Sequence, residues 1–307
     1  MKISHVFILL VFVAMACSNE RETPKGYKYT LAAKGDGEKV APGKFLVMSL
    51  LLKDEKDSVW YDNKKNDAPE IIPTRDTTGM SSEEGLDEIF RLLTKGDSVT
   101  MTIPAQTLFE KTWGQPVPQG VDPKRKLTFY LKVNDVLDST AVMSLQQQIV
   151  ARQNEKMMKE QAEQLKKDSV IISDYLKGKN IDALRTPSGL RYLVQKAGKG
   201  ENAQVGQTVR INYAGYLLSG KYFDTSWEKI AKEQGMYTPG RPYEPYEIVI
   251  GQTPLIQGWD EIMLLMNKGT KLTVWVPSPL AYGKRRRSED IVENSILVFD
   301  MEMVDIK

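Results

Sequence analysis

The sequence predicts the α+β fold class, with two domains of short β-strands joined by a long α-helix. Runs rich in β-branched and aromatic residues alternate with glycine-containing turns over residues 26–138, and the pattern returns over 186–307. Residues 139–180 are a predicted helical linker, because 139–177 contain no Gly or Pro and are rich in Gln, Lys, Glu, Met and Ala. A chain of 307 residues is long enough for two domains that each bury a core.

The composition excludes several kinds of chemistry. The only histidine is His5 and the only cysteine is Cys17, so residues 18–307 offer neither an imidazole nor a thiol. Catalytic triads, His or Cys zinc sites and intramolecular disulfides are therefore not expected, and we expect no metal or cofactor. The 42 basic and 40 acidic side chains give a net charge of +2, which does not favour a nucleic-acid partner.

The N-terminus has the pattern of an export signal. Residues 6–16 are eleven consecutive apolar residues, fewer than the roughly 20 of a transmembrane helix, and predict a signal peptide over 1–16. Ala14 and Ala16 precede Cys17, an arrangement that resembles the bacterial lipobox. We expect a lipidated Cys17 and a chain anchored by lipid in a bacterial envelope, facing the periplasm or the cell surface. The alternative is a secretory signal in which Cys17 is not modified.

The helical stretch allows two interpretations. Its apolar residues are spaced by three, four and seven, without a sustained heptad. One interpretation is an amphipathic arm that forms a homodimer through the 139–177 helix. The other is a connecting helix whose apolar stripe docks on its own domains. The pair Asp168 and Ser169 is a candidate break in the helix.

The two β-rich regions look like copies of one another. The segment that begins at Gly85 is followed by Lys95-Gly96 and Pro104, and the segment that begins at Gly258 is followed by Lys268-Gly269 and Pro277. The spacings are ten and nineteen residues in both segments. We therefore expect a diverged tandem duplication.

The second copy carries motifs of a known family. Among them are Gly220-Lys-Tyr-Phe-Asp-Thr-Ser226, Ile256-Gln-Gly-Trp-Asp-Glu261, Ala281-Tyr-Gly283 and Leu297-Val-Phe-Asp300. Their order and content resemble the FKBP family of peptidyl-prolyl cis-trans isomerases, and the preceding signal and helix are similar to its secreted Mip and FkpA type. The resemblance implies two FKBP-like domains, each a curved antiparallel sheet around a short helix, at residues 260–266 and 87–93.

The resemblance implies an enzyme that rotates X–Pro bonds in exported proteins through an apolar aromatic pocket, with proline-containing polypeptides as substrates. It assigns roles residue by residue. Trp259 is the expected floor, Tyr213, Phe223 and Phe299 are walls, Tyr282 is a phenol donor and Asp224 orients the pocket groups. The expected rim residues that bind substrate are Tyr246, Leu255, Ile256 and Ile291.

The same residues also have simpler explanations. Buried aromatic residues usually form ordinary core, and Asp224 could cap a turn. In the first copy Leu86 replaces the floor residue Trp259, which predicts a degenerate FKBP-like domain over 26–138. Two other functions therefore remain open. One is an envelope chaperone or assembly factor that binds apolar segments without required turnover, and the other is a structural lipoprotein.

Overall fold

The computed structural model describes residues 19–24, 26–74 and 86–307, which form two units that divide between residues 154 and 155. The predicted signal peptide over 1–16 and the lipidation site Cys17 lie outside the described residues. No helix in the described ranges combines the length and the hydropathy needed to cross a bilayer.

The first unit is built on a seven-stranded antiparallel sheet. Alternate residues of the strand Lys126–Leu137 are buried. They pack with Ile89 and Phe90 of the short helix Leu86–Phe90 to form one core. The strands are β1 (Glu20–Glu22), β2 (Lys28–Ala33), β3 (Phe45–Asp54), β4 (Val59–Asp62), β5 (Glu70–Pro73), β6 (Ser98–Pro104) and β7 (Lys126–Leu137), and the helix is α1 (Leu86–Phe90).

The predicted long helix is a single α-helix, α2 (Ser139–Gly178). It continues through Asp168 and Ser169, so the expected break there is wrong. Asp168 has an exposed fraction of 1% and accepts hydrogen bonds from Ser278, which makes this position a buried contact of the helix. Further along, Ile172 and Leu176 pack in a cluster with Trp275. The last part of the helix therefore docks on its own domain, as the second interpretation expected.

The second unit contains a sheet of the same size and the same antiparallel pairing. Its core lies between this sheet and a short helix that carries Trp259 and Ile262. The elements are β8 (Leu184–Arg185), β9 (Arg191–Lys196), β10 (Lys199–Asn202), β11 (Thr208–Leu217), β12 (Tyr222–Thr225), α3 (Glu228–Glu233), β13 (Tyr246–Val249), α4 (Gln257–Met263), β14 (Asn267–Lys268), β15 (Lys271–Val276) and β16 (Leu297–Ile306).

The strand order repeats between the two units. The first sheet runs β1-β2-β6-β7-β3-β4 with β5 on β3, and the second runs β8-β9-β15-β16-β11-β12 with β13 on β11. Equivalent glycines allow the same close approach of backbone: a Cβ on Gly35 would lie 2.1 Å from the Lys95 carbonyl oxygen, and one on Gly198 would lie 2.5 Å from that of Lys268. The duplicated sequence pattern therefore corresponds to a duplicated topology.

The two short helices begin earlier than the sequence suggested. We expected residues 87–93 and 260–266, whereas the helices are α1 at 86–90 and α4 at 257–263. In the second unit the backbone is extended at Ile256 and turns into the helix immediately afterwards. As a result, Trp259 lies in the first turn of α4, three residues after the extended Ile256.

Candidate functional site

A cavity of about 660 Å³ lies in the second unit, beside α4 and the sheet. All of the predicted site residues except Ile291 line it. The lining comprises Tyr213, Phe223, Asp224, Tyr246, Pro254, Leu255, Ile256, Gln257, Trp259, Pro279, Ala281, Tyr282, Arg285, Arg287 and Phe299.

The apolar part of the cavity is a set of aromatic rings in edge-to-face contact. The Trp259 ring meets the Tyr213 ring at a centroid distance of 5.0 Å and the Phe299 ring at 5.3 Å. Phe299 in turn meets Phe223 at 5.8 Å. Trp259 is only 5% exposed, so these contacts fix the indole as one wall of the cavity. The floor and wall positions expected for these aromatic residues are therefore adjacent in space.

Gly215 on β11 makes room for this ring cluster. A Cβ at that position would lie 2.6 Å from the Phe223 ring and 2.9 Å from the Phe299 ring. Any larger residue would therefore displace both rings. Sequence reasoning did not identify Gly215, because its role depends on the strand pairing that sets it opposite Phe299.

Asp224 is held by three hydrogen bonds. The Tyr213 hydroxyl donates to one carboxylate oxygen at 2.6 Å, while the Arg241 guanidinium and the Thr225 backbone N–H donate to the other at 2.7 and 2.9 Å. Only the Thr225 bond comes from a neighbouring residue. The other two join distant parts of the unit, so Asp224 is more than a turn cap.

The electrostatics around Asp224 keep Tyr213 neutral. Burial, and next the hydrogen bond to Asp224, raise the pKa of the Tyr213 hydroxyl, so this phenol remains a proton donor at physiological pH. The same carboxylate raises the pKa of Arg241 through their hydrogen bond. Arg241 comes from the long segment between α3 and β13. The sequence does not predict this role of Arg241, since nothing in that segment indicates which cation reaches the carboxylate.

The rim contains an available backbone donor. Ile256 is extended just before α4, Leu255 precedes it in the lining, and Tyr246 on β13 is 44% exposed at the edge of the cavity. Among the described residues, no backbone acceptor takes the N–H of Ile256. This N–H is therefore available to a carbonyl group of a bound molecule.

Tyr282 follows the 3₁₀ turn Ser278–Leu280 and leads into a cationic segment. The guanidinium of Arg287 lies 5.8 Å from the centre of the Tyr282 ring. Arg285 and Arg287 line the cavity. The charged loop, residues 284–290, therefore brings two of its cations to the cavity.

Ile291 lies elsewhere. It was expected at the rim, but it is 5% exposed and packs in the hydrophobic core of the unit. Its backbone closes the charged loop, because its carbonyl accepts the Arg287 N–H at 2.9 Å and its own N–H donates to the Ser288 hydroxyl at 3.0 Å. Ile291 therefore supports the loop from the core side without lining the cavity.

The equivalent positions of the first unit hold aliphatic residues. By strand register, Leu50 corresponds to Tyr213 and Leu52 to Gly215, since Leu52 pairs with Phe129 as Gly215 pairs with Phe299. Leu52 is buried in the core, so its side chain occupies space that glycine leaves open in the second unit. Leu86 is likewise buried in that core. These residues do not reproduce the aromatic lining.

The second unit is similar in sequence to known proteins. Residues 199–304 match the family described as FKBP-type peptidyl-prolyl cis-trans isomerase. The chain is 34% identical over 134 residues to a probable FKBP-type peptidyl-prolyl cis-trans isomerase of Haemophilus influenzae, covering 44% of this chain and 48% of the relative. It is 32% identical over 176 residues to Escherichia coli FkpA, covering 57% and 58%.

A smaller relative is covered almost completely. FK506-binding protein 1A of Neurospora crassa is 37% identical over 120 residues, which are 39% of this chain and 89% of that protein. The crystal structure of E. coli FkpA aligns at 31% identity with a TM-score of 0.37, covering 55% of this chain and 70% of the other. The chain spans about half to two thirds of the length of the bacterial relatives.

Changing Tyr213 to Phe tests the Asp224 hydrogen-bond network. At pH 7 the variant should lose about 1–2 kcal/mol of unfolding free energy, because a partly buried hydrogen bond to a carboxylate is removed. The raised pKa of Tyr213 means that the folded state holds this proton more tightly than the unfolded state. Its contribution is therefore complete below about pH 10, the ordinary tyrosine pKa, and is lost as the pH rises further.

Urea unfolding from pH 7 to 11 measures this effect. The wild-type and Y213F curves should run parallel from pH 7 to 9, and above pH 10 the wild type should lose stability more steeply. Curves that stay parallel to pH 11 would contradict the proton-donor assignment of Tyr213.

Proposed function

Because the chain belongs to the FKBP-type peptidyl-prolyl cis-trans isomerases, we propose that the cavity of its second unit accelerates rotation about X–Pro bonds in polypeptides. The observation that carries the proposal is the aromatic cavity around Trp259, with the free Ile256 N–H at its rim. An apolar site with one backbone donor suits a ring and a nearby carbonyl, which are the groups that a prolyl segment presents.

The chemistry follows from the amide bond. Rotation about X–Pro has a barrier of roughly 18–20 kcal/mol because the planar amide is conjugated. At the midpoint the conjugation is lost, and the carbonyl oxygen carries less of the charge that water solvates well. A cavity that excludes water therefore disfavours the planar amide more than the twisted one, which is preferential binding of the transition state.

Different residues of the site make different contributions to this preferential binding. Trp259, Phe299 and Phe223 provide apolar surface for the proline ring, and the Ile256 N–H holds a substrate carbonyl. Tyr282 offers a phenol from the lining of the cavity. Asp224, fixed by Tyr213 and Arg241, keeps a carboxylate at the cavity without needing to exchange a proton. No nucleophile or general base is required, and each tenfold acceleration needs about 1.4 kcal/mol of differential stabilisation.

Changing Trp259 to Leu should lower kcat/KM for a short X–Pro peptide at least about tenfold, because the aromatic floor is lost. The fold should survive, since Leu86 occupies the corresponding place in the first unit. The measurement is a protease-coupled isomerisation assay on the full chain. Trp113→Leu, the same change at an exposed residue of the first unit, is the control and should retain the wild-type rate.

The same variant separates the enzyme from the alternative of a chaperone or assembly factor. If W259L loses isomerisation but still suppresses aggregation of an unfolded client, the chain also has a binding function that needs no turnover. A wild-type chain without measurable isomerisation would refute the enzyme proposal.

We further propose that the protein is exported and held at a membrane of the bacterial envelope by lipid on Cys17, so that its clients are exported polypeptides. The support is the sequence of residues 1–17. Cys17→Ser in the full chain should move the protein from the membrane fraction to the soluble fraction. Ser18→Ala, a neighbouring change that keeps the cysteine, should leave it in the membrane. An unchanged distribution of the Cys17 variant would contradict lipid anchoring.

Pairing of α2 with a second copy of the chain stays a prediction. Met143, Val150 and Met157 are exposed on this helix and lie seven residues apart. Such a spacing is compatible with a helical interface.

A further inference from the structure

A buried carboxylate on α2 contacts the loop that carries Tyr282. One oxygen of Asp168 accepts hydrogen bonds from the Ser278 backbone N–H at 2.7 Å and from its hydroxyl at 2.6 Å. The other oxygen accepts from the side-chain amide of Gln164 at 2.7 Å. Both Asp168 and Ser278 are almost inaccessible to solvent. A buried carboxylate is tolerated only when it is satisfied in this way, so the contact is specific.

Ser278 transmits the contact to the cavity. Its carbonyl accepts the backbone N–H of Ala281 at 3.0 Å and that of Gly283 at 2.8 Å, the two residues on either side of Tyr282. The place of Tyr282 is therefore set by a turn whose first residue is held by Asp168.

This turn separates two cavities. Pro279, Ala281 and Tyr282 line the large cavity on one side and a second cavity of about 350 Å³ on the other. The second cavity is lined on its far side by α2, at residues that include Gln161 and Gln164. Because there is open space on both sides of this turn, packing alone does not hold it in place. The hydrogen bonds from Ser278 to Asp168 on α2 therefore matter more for its position.

We propose that Asp168 is a positioning residue of the site, which acts through Ser278 to hold Tyr282 against the bound prolyl segment. The effect on rate rests on the proposed isomerase function, whereas the effect on the loop does not. Under this proposal α2 is part of the working site and is more than a connector.

The test compares Asp168→Ala with Leu176→Ala in the full chain. Leu176 lies on the same helix and packs against Trp275, so its loss weakens the docking of the helix without touching the turn. Amide hydrogen exchange at Ala281 and Gly283 and kcat/KM for an X–Pro peptide are measured well below the unfolding temperature of both variants. D168A should exchange at least about tenfold faster at these amides and lose about five- to tenfold in kcat/KM, while L176A should change neither. Asp168→Asn keeps one carbonyl acceptor and should restore part of both values.

The outcomes are distinguishable. Unchanged exchange in D168A overturns the proposal, and so does a normal rate in a variant whose exchange is faster. An equal loss of rate in L176A would show that helix docking in general, and not Asp168, supports the site. If the wild type has no isomerase activity, the proposed function fails and the exchange data alone decide whether Asp168 holds the turn.

A second and independent observation concerns charge at the cavity. Arg285 and Arg287 line it, while Arg286 between them does not. Within the described part of the chain, no carboxylate lies within 4.0 Å of the charged groups of Arg285 or Arg287, in contrast to Arg241, which is paired with Asp224, and Lys284, which is paired with Glu160. Among the residues that the structure describes, these two guanidinium groups at the cavity therefore have no carboxylate as an ion-pair partner.

We infer that the site discriminates among X–Pro segments with a polar residue next to the proline by charge, and favours an acidic over a basic side chain there. The inference deepens the proposed function by naming a substrate class. A carboxylate near the cavity would approach both guanidinium groups, whereas a lysine would be repelled by them. Exposed pairs of this kind are worth little singly, so we expect about a two- to fivefold effect for each arginine.

The test uses peptides that differ only in Glu, Gln or Lys beside the proline. Wild type should give kcat/KM in the order Glu, Gln, Lys, and calorimetric binding should follow the same order. Arg285→Gln with Arg287→Gln should remove the preference, and Arg286→Gln is the matched control that should retain it. Equal values for the three peptides, or an equal loss of preference in R286Q, would overturn the inference. Absence of turnover with every peptide would count against the isomerase function, and the binding order would then decide the charge preference.

Discussion

The aromatic cavity depends on an empty volume beside one residue of a central strand. At Gly215 the sheet has no side chain, and the rings of Phe223 and Phe299 occupy that space and meet each other edge to face. Phe299 then supports Trp259, which supports Tyr213. Each ring is oriented by its neighbour, so the lining is one packed unit and the remaining volume stays open to a ligand. The chemistry proposed for the site, exclusion of water from a prolyl amide, requires both features.

A polar frame surrounds this apolar lining. On one side, Asp224 joins Tyr213 on β11 to Arg241 from the segment before β13. On another, Asp168 on α2 holds the turn that leads to Tyr282. Each carboxylate accepts one hydrogen bond from a residue nearby in the sequence, Thr225 or Gln164, and others from a different element of the unit. The frame therefore orients side chains that the hydrophobic packing alone would leave free to move.

The two units share a strand order but differ at the few positions that form the aromatic cavity. Their sheets have the same strand order, and both have a close glycine contact at the equivalent place, Gly35 with Lys95 and Gly198 with Lys268. The difference lies in a few inward positions: the first unit has Leu52 and Leu86 where the second has Gly215 and Trp259. Aliphatic residues at these positions still fill a core, which is enough for stability. They do not leave a ring-lined volume, which the proposed reaction requires.

The amino-acid sequence by itself determined the α+β class, the duplication, the long helix and nine of the fifteen residues that line the cavity. These features follow from local patterns, such as strand alternation and the absence of Gly and Pro, and from ordered motifs that resemble a family. Tertiary structure alone decided the roles of Gly215, Arg241, Asp168 and the pair Arg285 and Arg287, and it moved Ile291 from the rim into the core. The physical reason is that these roles are contacts between residues far apart in the chain. The role of a charged residue or of a glycine depends on the residues that packing places beside it. A local sequence pattern does not identify those residues.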